Sequence, residues 1–197
     1  MKNAFVFPGQ GSQFVGMGKD LAENFASARE VFQEVDNTLN QNLFALMTGG
    51  PEHELTLTAN TQPALMAVSM AVVRVLEKEF GIALKDKAAF VAGHSLGEYS
   101  AACAAGVFSL ADTARLLRAR GDAMQKAVPF GVGGMAAVIG VSFKDINALV
   151  EACCDENALC VAANDNSDGQ VVLSDHMAAI DKAVEIAPEF GAKRCIK

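Results

Sequence analysis

The segment around Ser95 constrains the fold of this chain more than any other. An apolar run over residues 88–92 leads directly into Gly93-His94-Ser95-Leu96-Gly97, and a stretch of small side chains follows and ends at Gly106. A G-x-S-x-G pattern between a buried strand and a helix is typical of a nucleophile elbow, in which flanking glycines permit a strained turn that lifts the serine hydroxyl. Such a turn directs the Leu96 N–H towards an oxyanion formed at Ser95. The alternative is an ordinary turn whose serine only caps the helix.

Length and composition exclude several classes of protein. The chain has 197 residues, of which 51% are hydrophobic, far more apolar material than a disordered chain carries. Its longest apolar stretch, over residues 63–73, ends at Arg74, well short of the roughly 20 residues of a membrane-spanning helix. The net charge of −7 and the absence of a Lys/Arg block argue against nucleic acid as a partner.

The N-terminus and the cysteines indicate a cytoplasmic location. Pro8 and Gly9 interrupt the first apolar run before the core of a signal peptide could form. The five cysteines are an odd count and lack the paired spacing of a zinc site. We therefore expect reduced thiols, and we predict neither a metal nor a cofactor.

A cluster of proline and glycine divides the chain into two predicted lobes. Residues 1–128 predict an α/β body, with strands over 4–7 and 88–92 and long helices over 62–80 and 110–125. Residues 129–197 have the order β-α-β-β-α-β of a ferredoxin-like lobe. Its predicted strands cover 135–139, 159–163, 170–174 and 192–196, its helices cover 143–154 and 177–190, and a polar turn covers 164–169.

The first lobe is expected to be incomplete. Two strands are too few for a covered parallel sheet, and Cys195-Ile196-Lys197 lies within a strand pattern. We therefore expect the remainder of the body to lie beyond residue 197.

None of the three histidines is a convincing general base for Ser95. His94 is the immediate neighbour of Ser95, and adjacent side chains diverge at an elbow. His53 lies in a charged loop, and His176 lies at a helix start in the second lobe. Since a hydroxyl without a base is a weak nucleophile, either the base lies beyond residue 197 or the chain is inactive.

A glycine loop and an arginine-rich helix offer further candidates. The loop Gly9-Gln10-Gly11 follows the first strand and is either a plain turn or the source of a second oxyanion donor. The helix over 110–125 carries Arg115, which faces solvent, and Arg118 and Arg120, which border its apolar stripe on opposite sides. Either of the last two arginines is suited to bind a carboxylate, and helical geometry does not choose between them.

Taken together, these segments resemble the malonyl-CoA:acyl carrier protein transacylase family. The resemblance runs over essentially the whole chain, in order, and its first and third motifs are together highly specific. The matching pieces are FVFPGQGSQ at 5–13, TQPAL at 61–65, GHSLGEYSA at 93–101, Arg120-Gly121 followed by Met124-Gln125, GMAAV at 134–138 and GQVV at 169–172.

The resemblance implies roles that spacing alone leaves open. Ser95 matches the serine that is acylated, Gln10 and Leu96 match the residues whose N–H groups form the oxyanion hole, and Arg120 matches the arginine that binds the malonyl carboxylate. Gln62 matches a glutamine near the site.

The family also supplies expectations for the architecture and the reaction. Its large lobe resembles an α/β hydrolase, its small lobe is ferredoxin-like, and its partners are malonyl-CoA and acyl carrier protein in fatty acid biosynthesis. Its catalytic histidine follows the last small-lobe strand, so this sequence resembles the first two thirds of such an enzyme without its base.

Two other hypotheses stay open on the sequence. The elbow equally permits a serine hydrolase or thioesterase that passes the acyl group to water, although the loop at 8–13 and the Arg120-Gly121 match count against it. A non-catalytic binding fragment is the other alternative.

Overall fold

The computed structural model describes residues 3–128 and 131–197 and has an α/β fold. It divides the chain into two compact units, Met1–Ala127 and Val128–Lys197. None of the helices in the described ranges is both long enough and apolar enough to cross a membrane.

The first unit consists of two strands and eight helices within residues 3–127. Its elements are β1 (Asn3–Phe7), α1 (Lys19–Asn24), α2 (Ala26–Leu39), α3 (Leu43–Gly49), α4 (Glu52–Leu55), α5 (Thr58–Phe80), α6 (Leu84–Lys87), β2 (Ala88–Gly93), α7 (Leu96–Ala104) and α8 (Leu110–Ala127).

The two strands of this unit are parallel, and their ends carry the predicted elbow and the predicted glycine loop. Phe7, the last residue of β1, pairs with Gly93, the last residue of β2. The loop after β1 and the turn after β2 therefore leave the sheet side by side, because the carboxyl ends of parallel strands lie at the same edge.

Helix α5 is the centre of the main core of the first unit and begins earlier than the sequence pattern predicts. It starts at Thr58 rather than near residue 62, so Pro63 lies in its second turn rather than in its first. Leu57, at its N-cap, makes no side-chain capping bond, whereas Thr61 Oγ1 donates to the Leu55 carbonyl at 2.6 Å. The start of this helix therefore lacks the side-chain cap that marks a helix N-terminus in a sequence.

The second unit is a four-stranded antiparallel sheet with two helices. Its elements are β3 (Gly133–Ile139), α9 (Ile146–Cys153), β4 (Cys160–Ser167), β5 (Gln170–His176), α10 (Met177–Ile186), a 3-10 turn (Ala187–Phe190) and β6 (Arg194–Ile196). The strands lie in the order β4-β5-β3-β6. Buried side chains from strands β3 and β5 and from both helices form a core of its own, including Val138, Ile146, Leu173 and Ile180.

Several predicted boundaries in this unit are wrong. The strand expected over 192–196 begins at Arg194, and the helix expected over 177–190 ends at Ile186 and is followed by the 3-10 turn. The polar turn expected over 164–169 is only Asp168-Gly169, because β4 and β5 stay paired up to Ser167 and Gln170. Backbone hydrogen bonds form regardless of side-chain polarity, so an exposed strand of polar residues is easily mistaken for a loop. The helix expected from residue 143 begins at Ile146, because the Ser142 carbonyl accepts from the Asp145 and Ile146 N–H groups and forms a separate turn.

Candidate active site

Ser95 occupies a strained turn between β2 and α7. Its backbone has φ 55° and ψ −114°, a conformation that is costly for a residue with a side chain and that is found mostly at functional sites. Its side chain is exposed and makes no capping hydrogen bond to α7. The alternative in which Ser95 only caps the helix is therefore wrong.

The glycines on both sides of Ser95 are required by close backbone contacts. A Cβ atom on Gly93 would lie 1.9 Å from the carbonyl carbon of Gly97, and one on Gly97 would lie 2.4 Å from the carbonyl oxygen of Phe7. Helix α7 therefore begins directly against the ends of both strands, and any larger residue would push the turn away from the sheet.

The start of α7 provides backbone donors beside the serine. Leu96 is the first residue of the helix, and its side chain is fully buried in the main core of the first unit. Gly97 N–H donates to the His94 carbonyl and Glu98 N–H to the Ser95 carbonyl. The N–H of a first helical residue has no acceptor inside its own helix, so the Leu96 N–H is suited to bind an anion at Ser95.

The glycine loop after β1 is held next to this turn. His94 N–H donates to the Phe7 carbonyl at 3.3 Å, and Gly9 packs against the His94 ring, where a Cβ atom would lie 2.8 Å from Nδ1. Gln13 Oε1 accepts from the Gly11 N–H at 2.8 Å and braces the loop, and the exposed Gln10 donates from Nε2 to Thr58 Oγ1 at 3.5 Å.

Arg120 is the arginine that reaches the serine. Its Nη2 donates to Ser95 Oγ at 3.0 Å, and its Nη1 donates to Gln62 Oε1 at 2.7 Å. Its guanidinium also lies over the Tyr99 ring, 5.9 Å from the centroid. None of the ion pairs found in residues 3–128 and 131–197 involves Arg120, and the amide, the hydroxyl and the aromatic ring that contact its guanidinium are all neutral.

The other two arginines of α8 point elsewhere. Arg118 donates to Asn60 Oδ1 at 3.0 Å and to Gln41 Oε1, and burial lowers its pKa while Asp122 opposes that shift. Arg115 is exposed and pairs with Asp112 at 3.0 Å. The choice between Arg118 and Arg120, which helical geometry leaves open, is therefore made by the packing of α8.

Gln62 lies in the core, yet its amide belongs to the site. It is fully buried, and besides accepting from Arg120 it donates from Nε2 to Met124 Sδ at 3.2 Å. Sequence reasoning assigns no role to Tyr99 or Met124. The four-residue spacing of Arg120 and Met124 places them on one helix face and could have indicated a shared neighbour.

The group that hydrogen-bonds to Ser95 Oγ is the Arg120 guanidinium, and His53 lies exposed in α4. In the second unit His176 Nδ1 accepts from the Leu159 N–H at 3.2 Å and lies 2.8 Å from Asp175 Oδ1.

Comparison with known proteins places this arrangement in a family. The family model of the acyl transferase domain matches residues 4–194. The malonyl CoA-acyl carrier protein transacylase of Bacillus subtilis is 46% identical over 195 residues, a match that covers 99% of this chain and 60% of the relative. The malonyl CoA-acyl carrier protein transacylase of Escherichia coli K12 is 45% identical, and the match covers 98% of this chain and 61% of that relative.

Solved structures agree with the sequence comparison. The acyl-carrier-protein-S-malonyltransferase of Bartonella henselae superposes with a TM-score of 0.92 at 58% identity, covering 100% of this chain and 62% of that one. A malonyl-transacylase in complex with a type II PKS acyl-carrier protein superposes with a TM-score of 0.89 at 41% identity. That match covers 100% of this chain and 62% of the other. The chain thus spans about three fifths of the length of these relatives. The serine on its strained elbow, the arginine that forms no ion pair among the described residues and these matches agree: the chain belongs to the acyl transferase domain family.

Proposed function

We propose that the chain is the acyl-accepting part of an acyl-carrier-protein S-malonyltransferase, with Ser95 as nucleophile. The observation that carries the proposal is the 3.0 Å contact between Arg120 Nη2 and Ser95 Oγ. It puts a cation that forms no ion pair with any described carboxylate next to a strained, exposed hydroxyl, an arrangement suited to an acyl group with a free carboxylate. The relatives are named as enzymes that act on malonyl CoA and acyl carrier protein, which supports malonyl-CoA as the substrate and an acyl carrier protein as the acceptor.

In the first half-reaction Ser95 Oγ attacks the thioester carbonyl of malonyl-CoA. A C–O bond forms, the C–S bond breaks, and the serine proton leaves with the sulfur as the CoA thiol. The Leu96 and Gln10 N–H groups stabilise the oxyanion. Arg120 binds the malonyl carboxylate bidentately, and Gln62 holds the guanidinium for that contact.

In the second half-reaction the phosphopantetheine thiol of an acyl carrier protein attacks the malonyl-serine. The new C–S bond replaces the ester bond, and Ser95 regains its proton. Both half-reactions need a base, and we propose that it comes from a histidine outside these 197 residues. The rate of acylation of this chain by itself is then low.

We propose a two-lobe architecture for the whole protein, with a boundary near residue 128. The strand order β4-β5-β3-β6 supports a ferredoxin-like second lobe. The parallel pair β1-β2 supports an α/β-hydrolase-like first lobe that further strands complete. Val6 and Phe90 in this pair are 74% and 64% exposed, which suits a sheet that additional chain covers.

Intact-mass spectrometry of the 197-residue chain after incubation with malonyl-CoA tests the proposal. We expect a slow mass increase of one malonyl group, absent in Ser95→Ala, and its transfer to a holo acyl carrier protein rather than to water. Acylation that persists in Ser95→Ala, or malonyl-CoA binding no tighter than that of acetyl-CoA, contradicts it.

A further inference from the structure

The Gln62 side chain is bound at both ends of its amide. Its Nε2 donates to Met124 Sδ at 3.2 Å, and its Oε1 accepts from Arg120 Nη1 at 2.7 Å. The residue has no exposed surface, so water cannot replace either partner.

The chemistry of the two partners permits only one orientation of this amide. A guanidinium has donors and no acceptor, whereas a thioether sulfur has lone pairs and no donor. If the amide rotated by half a turn, its NH2 group would face the guanidinium and its oxygen would face the sulfur, and both hydrogen bonds would be lost. Both partners therefore favour the same orientation, in which the oxygen of Gln62 faces Arg120, and the sulfur holds the other end of the amide in place.

Packing alone does not account for a methionine at this position. The Met124 side chain is 47% exposed, so about half of it is not buried against the protein. It lies four residues after Arg120 on α8, and the two side chains therefore approach Gln62 from successive turns of one helix face.

We propose that Met124 is a positioning residue. Its sulfur holds the Gln62 amide, and the amide holds the Arg120 guanidinium in the orientation that binds the carboxylate of the incoming acyl group. This inference rests on the proposed function, which it extends from the arginine to the side chains that orient it.

Arginine side-chain NMR of the 197-residue chain, labelled with 15N-arginine, tests the positioning directly. In the unaltered chain we expect separate Nη signals for Arg120, because its hydrogen bonds restrict rotation. Met124→Leu keeps the size of the side chain and removes the acceptor, and it should average these signals. Met124→Gln supplies an amide oxygen as acceptor and should restore them. Met70→Leu, a buried change in α5, is the matched control and should leave them separate.

Affinity measurements supply the second readout. Met124→Leu should weaken the binding of malonyl-CoA relative to acetyl-CoA by about fivefold to tenfold, the effect of one lost hydrogen bond. Met124→Gln and Met70→Leu should keep the original ratio.

The two proposals fail in different ways. Unchanged Arg120 signals in Met124→Leu, or identical behaviour of Met124→Leu and Met124→Gln, overturn the role of the sulfur. If Arg120→Ala instead leaves the ratio of malonyl-CoA to acetyl-CoA affinity unchanged, the proposed function fails, and the arginine signals still decide whether Met124 positions Arg120.

Discussion

Arg120 carries a positive charge, and the groups that contact it in the described part of the chain are neutral. An amide oxygen, a hydroxyl and an aromatic face surround the half-buried guanidinium. These groups hold it in place without neutralising it, because each carries a dipole or a quadrupole rather than a full charge. A carboxylate that enters this site gains a charge-assisted, bidentate contact, whereas an acyl group without one leaves the cation unpaired.

At the scale of single residues, we expect Arg120→Ala to reduce the preference for malonyl-CoA over acetyl-CoA. Loss of hydrogen bonds to a charged group costs about 1.5–3 kcal/mol, which corresponds to roughly a 10–150-fold fall in the ratio of the two affinities. Isothermal titration with both thioesters measures the ratio. Arg115→Ala, on the same helix but exposed, is the control and should change nothing. An unchanged ratio of affinities in Arg120→Ala would show that another residue binds the malonyl carboxylate.

At the scale of elements, the contact between α5 and α8 forms the frame of the site. Gln125 Oε1 accepts from the Ala59 N–H at 3.5 Å, and Gly121 lies so close that a Cβ atom there would be 2.7 Å from the Ala59 Cα. Gln62 projects from α5 and Arg120 from α8, and the two side chains are hydrogen-bonded to each other. Their relative position therefore depends on a close approach of the two helices that only a glycine at this position permits.

Gly121→Ala should consequently destabilise the chain, although alanine favours helices over glycine by about 1 kcal/mol. The backbone of α5 has to move, which we expect to cost about 1–3 kcal/mol of the free energy of unfolding. Urea denaturation followed by circular dichroism measures this change. Gly49→Ala is the matched control, because no atom lies within 4 Å of a Cβ atom at that helical glycine. Equal stability of the two variants would show that the helices tolerate the added methyl group.

At the scale of the whole molecule, each of the two units has a hydrophobic core of its own. The helices around α5 enclose the main core of the first unit, and the second encloses its core between one face of its sheet and α9 and α10. Cys160 lies in the second core and is 3% exposed. Burial raises its pKa from 9.0 to about 12.

This raised pKa predicts that the second unit loses stability in alkaline solution. Since the folded state binds the thiol proton more tightly than the unfolded state, the stabilisation is fully present below pH 9.0 and is lost as the pH rises towards about 12. Cys160→Ala has no such group, so its free energy of unfolding should fall less between pH 8 and pH 11, as measured in urea. If the free energy of unfolding fell by the same amount in Cys160→Ala and in the unaltered chain, a buried, protonated thiol at this position would be contradicted.

The sequence by itself determined the structures that local geometry controls. Two glycines around Ser95 specify an elbow because no residue with a Cβ atom fits there, and Ser109 begins α8 because its hydroxyl accepts from the Asp112 N–H at 3.0 Å. The order of strands and helices in the second unit likewise follows from hydrophobic periodicity. Its strand ends could not be predicted, because the polar residues of β4 pair through their backbones.

Only the tertiary structure decided which side chains meet at the serine. Arg118 and Arg120 are two residues apart and therefore project about 200° apart on their helix, and both border its apolar stripe. Asn60 and Gln41 bind the first arginine, while Gln62 and Ser95 bind the second. These partners come from segments 25 to 77 residues away in the chain, so their approach depends on how the helices pack and leaves no local pattern in the sequence.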